Sequence, residues 1–167
     1  MTDASDLLGQ AELILRPWAT DYSHPEANRM DVIIPPEYLK MAVRALTSAH
    51  WGYFAALTGL DLPAPAGGTG EAHIEGLYHF CEGAAVLTLR VRVPYSKAQV
   101  DTLCDIIPSA ILYEREFGEM FGVTVRNTDM TTHLLLADDW PEGVYPMRKS
   151  FAGLNVPTQE GAEVQGG

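Results

Sequence analysis

Long apolar runs are missing from this sequence. No stretch approaches the roughly 20 residues that a membrane span needs. Cysteine is scarce: Cys81 and Cys104 are the two in 167 residues, and they lack CxxC spacing. A zinc ribbon and an iron–sulfur motif are therefore absent. Each cysteine is expected as a small core hydrophobe rather than half of a disulfide. Basic residues are also few, 11 Lys and Arg against 22 Asp and Glu, for a net charge of −11. Nucleic acid and anionic lipid are both met with basic patches, so the acidity argues against either as a direct ligand. It also keeps a protein soluble. The five histidines are scattered and none lies in HExxH. GxSxG is absent, and the Gly-rich GGTGEAH lacks the Gly-Lys-Ser/Thr ending of a phosphate loop. The opening MTDASDLLGQAEL has neither the basic start nor the apolar core of a signal peptide, which predicts a cytosolic chain.

What is present suits one domain with a real core: 47% of the residues are hydrophobic and 20% charged. A first helix is expected over residues 4–18, opened by Ser5 or Asp6 and stopped near Pro17. DYSHPEAN reads as a turn-rich loop, and Asp31 to Ile34 as a short strand. Pro35-Pro36 opens a helix whose Leu39, Ala42, Val43 and Leu46 form a core-facing stripe. Trp51 to Leu60 reads as a strand, followed by the connector DLPAPAGGTGEA. Ile74–Phe80 and Val86–Val93 alternate and are joined by Glu82-Gly83-Ala84, a hairpin with one buried face. Ser96 to Gln99 fits a capping box, predicting a helix that carries Val100, Leu103, Cys104 and Ile107 and ends at Pro108. Ser109 opens another helix, and Gly122 is placed to end it. QEGAEVQGG is expected to be disordered. The fold class expected is α+β: a small mixed or antiparallel sheet with packed helices, then an extended C-terminal tail. The division expected is a core over residues 1–125 and a partner-docking tail over residues 126–167.

The last helix reads AILYEREFGEMFG. Tyr113, Phe117, Met120 and Phe121 share one face; Arg115, Glu116 and Glu119 lie opposite, with Glu114 at the margin. Gly118 costs a helix interior about 1 kcal/mol relative to Ala, which suggests that another backbone comes close. Glu114, Glu116 and Glu119 could serve a metal-dependent enzyme. No His stands at i+3 or i+4 to complete a helical metal site, and the bland account is an ion-paired face with Arg148 and Lys149 as partners. The pairing could lie within the chain or across an interface. Beyond the helix, DDWPEGVYPMRKSF carries Trp140, Tyr145 and Phe151 on a segment whose prolines forbid a regular helix.

The order YEREFGEMFGV, a short loop, then HLLLADDWPEGVYPMRKSF resembles the 30-kilodalton subunit family of respiratory complex I. The matching residues are Glu114, Arg115, Glu116, Phe121, Gly122, Pro146, Arg148 and Lys149. ALTGLDL, LTLRVRVP and DIIPSAILYERE extend the likeness over roughly residues 30–151. The sequence departs from the family's usual pattern at Gly118, where a bulky aromatic is common, and at Tyr145, Met147 and Ser150, where His, Leu and Asp are. DDWPEGVYP is most similar to the related subunits of membrane-bound, energy-converting nickel–iron hydrogenases and formate hydrogenlyases. A subunit of complex I proper, of the NADH, F420H2 or ferredoxin:quinone type, is the alternative.

The resemblance implies a subunit with no catalytic residues, metal or cofactor of its own. Its partners would be a large catalytic-type subunit and a small iron–sulfur subunit, carrying iron–sulfur clusters and, in a hydrogenase, a nickel–iron centre. It would sit on the cytoplasmic face of the membrane, peripherally, held through those partners. The residues implied at the partner interface or in its structural support are Glu114, Arg115, Glu116, Phe121, Gly122, Trp140, Pro141, Tyr145, Pro146, Arg148 and Lys149. Tail aromatics would anchor on the large subunit, and Arg148 could grip a carboxylate bidentately. A transiently binding assembly chaperone is a third reading, which no residue favours.

Overall fold

A computed structural model describes residues 3–67, 69–128 and 132–154. The disorder expected for QEGAEVQGG lies outside the described residues. The chain begins with helix α1 (Ala4–Leu15), then strands β1 (Asp21–Glu26) and β2 (Arg29–Ile33), helix α2 (Leu39–Ser48), and strands β3 (Tyr53–Leu62), β4 (His73–Glu82) and β5 (Ala85–Pro94). A short strand β6 (Gln99–Asp101), helix α3 (Ala110–Phe121) and a short strand β7 (Thr124–Arg126) follow. The main sheet has the order β1-β2-β5-β4-β3; β2 and β5 run parallel and the other neighbours antiparallel. β6 and β7 form a separate parallel pair. The α+β class with a small mixed sheet and packed helices is therefore the observed one.

Alternation decides which face carries the helices. Met30 and Val32 pair with Leu87 and Leu89, which pair in turn with Phe80 and Tyr78. All six side chains are buried in one apolar cluster with the stripe Leu39, Ala42, Val43 and Leu46 of α2. α1 packs on α2 and β5, and α3 lies over β3. Two glycines paired across the sheet, Gly59 and Gly76, make room for α3: a methyl group on Gly59 would run into the Phe121 ring, and Phe117 sits over Gly76.

Four local expectations are corrected. DYSHPEAN is not a loop, because Asp21, Tyr22 and Ser23 pair with Ile33, Val32 and Asp31. The strand is polar because it is an exposed edge, where Pro25 is tolerated. α1 is shorter than expected and is capped by Asp3, whose carboxylate accepts from the Ala4 amide at 2.8 Å. β3 starts at Tyr53; Trp51 is instead a buried core residue whose Nε1 donates to the Leu7 carbonyl at 2.9 Å. The helix expected from Ser96 does not form. The Ser96 hydroxyl donates to Glu71 at 2.8 Å instead of capping, and Val100 pairs with Val125 in the β6–β7 ladder.

The hairpin buries more than one face. On the side away from the helices, Glu75 is 0% exposed. Its carboxylate accepts from Arg90 Nη2 at 2.6 Å and from Arg92 Nε at 2.7 Å, while Arg90 Nη1 reaches the buried Asp31 at 3.3 Å. Burial alone would raise the Glu75 pKa, but the two arginines together hold it below the usual carboxylate range. Beside this cluster, His79 bridges the hydroxyls of Thr58 and Thr88 at 3.2 and 3.1 Å, and burial depresses its pKa. Cys81 and Cys104 are both unpaired thiols.

Arg90→Met should leave the buried Glu75 carboxylate with only the half-exposed Arg92 and cost about 3 kcal/mol of stability. Because Glu75 is more acidic in the folded chain than in the unfolded one, this contribution is complete above the unfolded value near 4.3 and is lost as pH falls through the folded value. Urea unfolding of both proteins from about pH 7 to about pH 3 should show the gap narrowing with acid. A gap that stays constant would count against the ion cluster.

Candidate functional site

α3 forms where its punctuation predicts. It begins after Ser109 and ends at Gly122, which adopts φ 70° and donates its amide to the Gly118 carbonyl at 2.8 Å. A left-handed terminus of this kind suits glycine. Ala110, Glu114, Phe117 and Phe121 form the buried face. Tyr113 reaches over the β3 edge: its hydroxyl donates to the Ala55 carbonyl at 3.2 Å, at the bulge between Phe54 and Ala56.

Glu114, at the margin in the sequence reading, is the buried acid. It accepts from the Thr102 hydroxyl and the Leu103 amide, each at 2.6 Å, and from the Cys104 thiol at 3.2 Å. Its carboxylate thus staples the turn after β6 to the helix. Burial, followed by the contacts with Glu114, raises the Cys104 pKa, so this thiol is poorly suited to nucleophilic or ligand chemistry.

Arg115, Gly118 and Glu119 fall on a different side, one helical turn apart, and hold the segment 132–136. Arg115 Nη2 donates to the Thr132 carbonyl at 2.8 Å and to the Thr132 hydroxyl at 3.1 Å. The Glu119 carboxylate accepts the backbone amides of Leu134, Leu135 and Leu136, the last two at 2.9 and 3.2 Å. Burial would raise the Glu119 pKa; the three amides outweigh it and hold the group below the carboxylate range.

The end of α3 holds the second half of the segment. Its terminal carbonyls need donors. The Met147 amide donates to the Met120 carbonyl at 3.1 Å, and Arg148 Nε to that of Phe121 at 2.8 Å. A cation at a helix C-terminus also complements the helix dipole. The Arg148 guanidinium lies between two rings, 4.4 Å from the centre of Tyr95 and 4.5 Å from that of Tyr145. Tyr145 packs so closely on Gly122 that any side chain at Gly122 would collide with its ring. Asp61, at the end of β3, then accepts the Lys149 amide at 2.7 Å and the Tyr95 hydroxyl. Burial, reinforced by Asp61, pushes the Tyr95 pKa up to about 12.

Residues 132–154 contain no helix or strand. They form a strap of turns around Trp140, whose Nε1 donates to the Val144 carbonyl at 2.8 Å and whose ring lies 6.1 Å from that of Phe151. Between the strap and α3 is an open cavity of about 270 Å³, bounded by Arg115, Gly118, Glu119, Trp140, Pro141 and Tyr145. The strap therefore lies against its own chain, with Trp140, Tyr145, Pro146, Arg148 and Phe151 half-buried there.

The structure places Arg115, Phe121, Gly122, Trp140, Pro141, Tyr145, Pro146, Arg148 and Lys149 along the strap, from the middle of α3 to its C-terminal end, and turns Glu114 away to Thr102 and Leu103. The expected pairing of the glutamates with Arg148 and Lys149 does not occur among the described residues. Arg148 is used by two rings and a carbonyl, and Glu116 is only partly covered at the α3 surface. Glu114, Glu116 and Glu119 serve different surroundings, and no group of three metal-binding side chains occurs among the described residues. Asp61 and Tyr95 are participants that the sequence reading missed. The alternation Leu57, Gly59, Asp61, which places the acid on the helix face, was the available signal.

The sequence and the fold are similar to those of known proteins. Residues 32–156 match the family described as "Respiratory-chain NADH dehydrogenase, 30 Kd subunit". Formate hydrogenlyase subunit 5 of Escherichia coli (strain K12) is 26% identical over 136 residues, 77% of this chain and 22% of that protein. A subunit of the F(420)H(2) dehydrogenase of Methanosarcina mazei is 28% identical over 120 residues, 71% of this chain and 68% of that protein. Among solved structures, a chain of the membrane-bound sulfane sulfur reductase, an archaeal respiratory membrane complex, superposes with a TM-score of 0.69 at 26% identity, covering 86% of this chain and 84% of that one. No described helix is long and apolar enough to cross a membrane. With the family match spanning most of the sequence and the fold shared, the chain belongs to the 30-kDa subunit family of the respiratory-chain NADH dehydrogenase.

Proposed function

We propose that the chain is a non-catalytic subunit of a membrane-bound, complex I-type oxidoreductase, and that it docks on the large catalytic-type subunit through the strap and the adjoining end of α3. The observation that carries this reading is the strap itself. The fold commits the side chains of Arg115, Glu119 and Arg148 to holding an irregular aromatic segment against α3, yet the rings of Trp140, Tyr145 and Phe151 stay only half-buried. Aromatic and Arg side chains fixed in this way are suited to anchor a protein interface. A small iron–sulfur subunit would lie alongside. The iron–sulfur clusters, and a nickel–iron centre in the hydrogenase form, would belong to the partners. Peripheral attachment at the cytoplasmic face is part of the same proposal. Likeness to formate hydrogenlyase subunit 5 supports the hydrogenase branch; likeness to an F(420)H(2) dehydrogenase keeps complex I proper as the second reading.

Two experiments test it. A tagged chain purified from gently solubilised native membranes should retain a large subunit in equal amount, and Trp140→Ala with Arg148→Ala should reduce that yield at least roughly tenfold. Undiminished retention by the double variant would sink the anchoring role. Separately, Gly122→Ala should strain a left-handed residue by about 1 kcal/mol and displace Tyr145 as well. Limited proteolysis should then cut the strap faster while near-ultraviolet circular dichroism still reports a folded core. Unchanged cleavage would show that the Gly122–Tyr145 contact does not hold the strap.

A further inference from the structure

The fold engages Glu114, Arg115 and Glu119 through hydrogen bonds but leaves the Glu116 carboxylate without an ion pair among the described residues. Its position is specific. Glu116 stands at the rim of a groove of about 190 Å³ between α3 and the outer strand β3. Leu57, Phe117, Met120 and Phe121 line it, and Met147 of the strap closes one side while remaining 57% exposed. Among the described residues, Glu116 is the only charged one lining the groove. An isolated surface glutamate is ordinary; one carboxylate at the mouth of an apolar groove, on a chain of net charge −11, selects a particular occupant. A wholly apolar side chain would desolvate Glu116 without pairing it, and an acidic one would be repelled. A long basic side chain satisfies both parts, laying its methylenes on the apolar walls and its charge beside the carboxylate.

We infer that this groove receives a lysine or arginine side chain of the partner subunit, its stem against Met120 and Met147 and its head at Glu116. The inference rests on the docking reading above and names the partner's chemistry at one point of that surface. The groove is continuous with the strap through Met147, whose amide is bound to the Met120 carbonyl.

The test uses the whole complex, purified through a tag on this chain in a strain lacking the untagged copy. The large subunit retained is quantified by mass spectrometry across washes of increasing sodium chloride. Glu116→Gln should retain about tenfold less and lose most of its salt dependence, and Met147→Ala should weaken retention by a similar factor. Glu116→Asp should recover part of the loss. Glu26→Gln, which removes the same charge at the far, exposed edge strand, should behave as wild type. All variants should melt at the wild-type temperature, because none of the substituted side chains lies in the core. Unchanged retention by Glu116→Gln, or equal losses in Glu116→Gln and Glu26→Gln, would overturn the basic-residue assignment; the docking reading would survive if the Trp140 and Arg148 variants still failed to assemble. A wild-type chain recovered only as a dimer would overturn the assignment by giving the groove to a second copy. A wild-type chain recovered alone as a monomer would overturn both readings.

Discussion

Three consecutive backbone amides, those of Leu134, Leu135 and Leu136, close on the carboxylate of Glu119, and that capture fixes where the strap begins its course along α3. An irregular segment has no ladder of its own, so its polar groups need partners from outside. Hydrogen bonds to an ionised acceptor are about twice as strong as neutral ones. That strength is why one side chain can fix three residues of backbone. The lowered pKa of Glu119 is the thermodynamic mark of the same event: its proton and the strap compete for the carboxylate.

The helix behind that carboxylate divides its work by angle. Ala110, Glu114, Phe117 and Phe121 recur on the buried side, where the aromatics fill the room left by Gly59 and Gly76. Arg115, Gly118 and Glu119 recur on the strap side. Leu112 and Glu116, four apart, share the remaining side, away from the core. Neighbours in sequence thus serve three separate surroundings, as the 3.6-residue period requires. Glu-Arg-Glu is therefore three parts: a core staple, a strap clamp and a surface charge. Its meaning as a motif lies in the positions that these roles demand, and adjacency on the chain is incidental.

Where the relevant contacts are local and periodic, they could be read from the sequence. The apolar stripe of α2, the alternation of the hairpin and the punctuation of α3 by Ser109 and Gly122 all correspond to observed elements. Non-local partners were hidden. β1 has no apolar rhythm, and only its pairing with β2 makes it a strand. Ser96 has the look of a cap, but Glu71 takes its hydroxyl. Alternation places Glu75 opposite the face of Ile74 and Tyr78, but its burial comes from Arg90 and Arg92 crossing from the next strand. Glu114 looks marginal by period because its donors, at Thr102 to Cys104, lie in a stretch whose spacing imitates a helix. The strap lies within the family match, yet its support by Asp61 and Tyr95 depends on two strand ends far apart in the chain.

Arg148 shows why this internal support matters for recognition. The sequence suggests a guanidinium reaching for a carboxylate; in the structure it is held between two rings and its Nε is committed to a helix carbonyl. A residue so engaged acts within the chain by fixing what lies around it. Gly118 has a complementary effect. It contributes no side chain at a position where the family commonly carries a bulky aromatic, and the cavity of about 270 Å³ beside Trp140 and Tyr145 opens there. Ordering an unstructured segment during association would cost roughly 0.5–1.5 kcal/mol for each large side chain immobilised. Here that cost is met during folding, by Glu119, by the end of α3 and by Asp61. Under the proposed docking, such a strap would meet its partner as a surface already shaped, with the binding energy of its aromatics left to go into affinity.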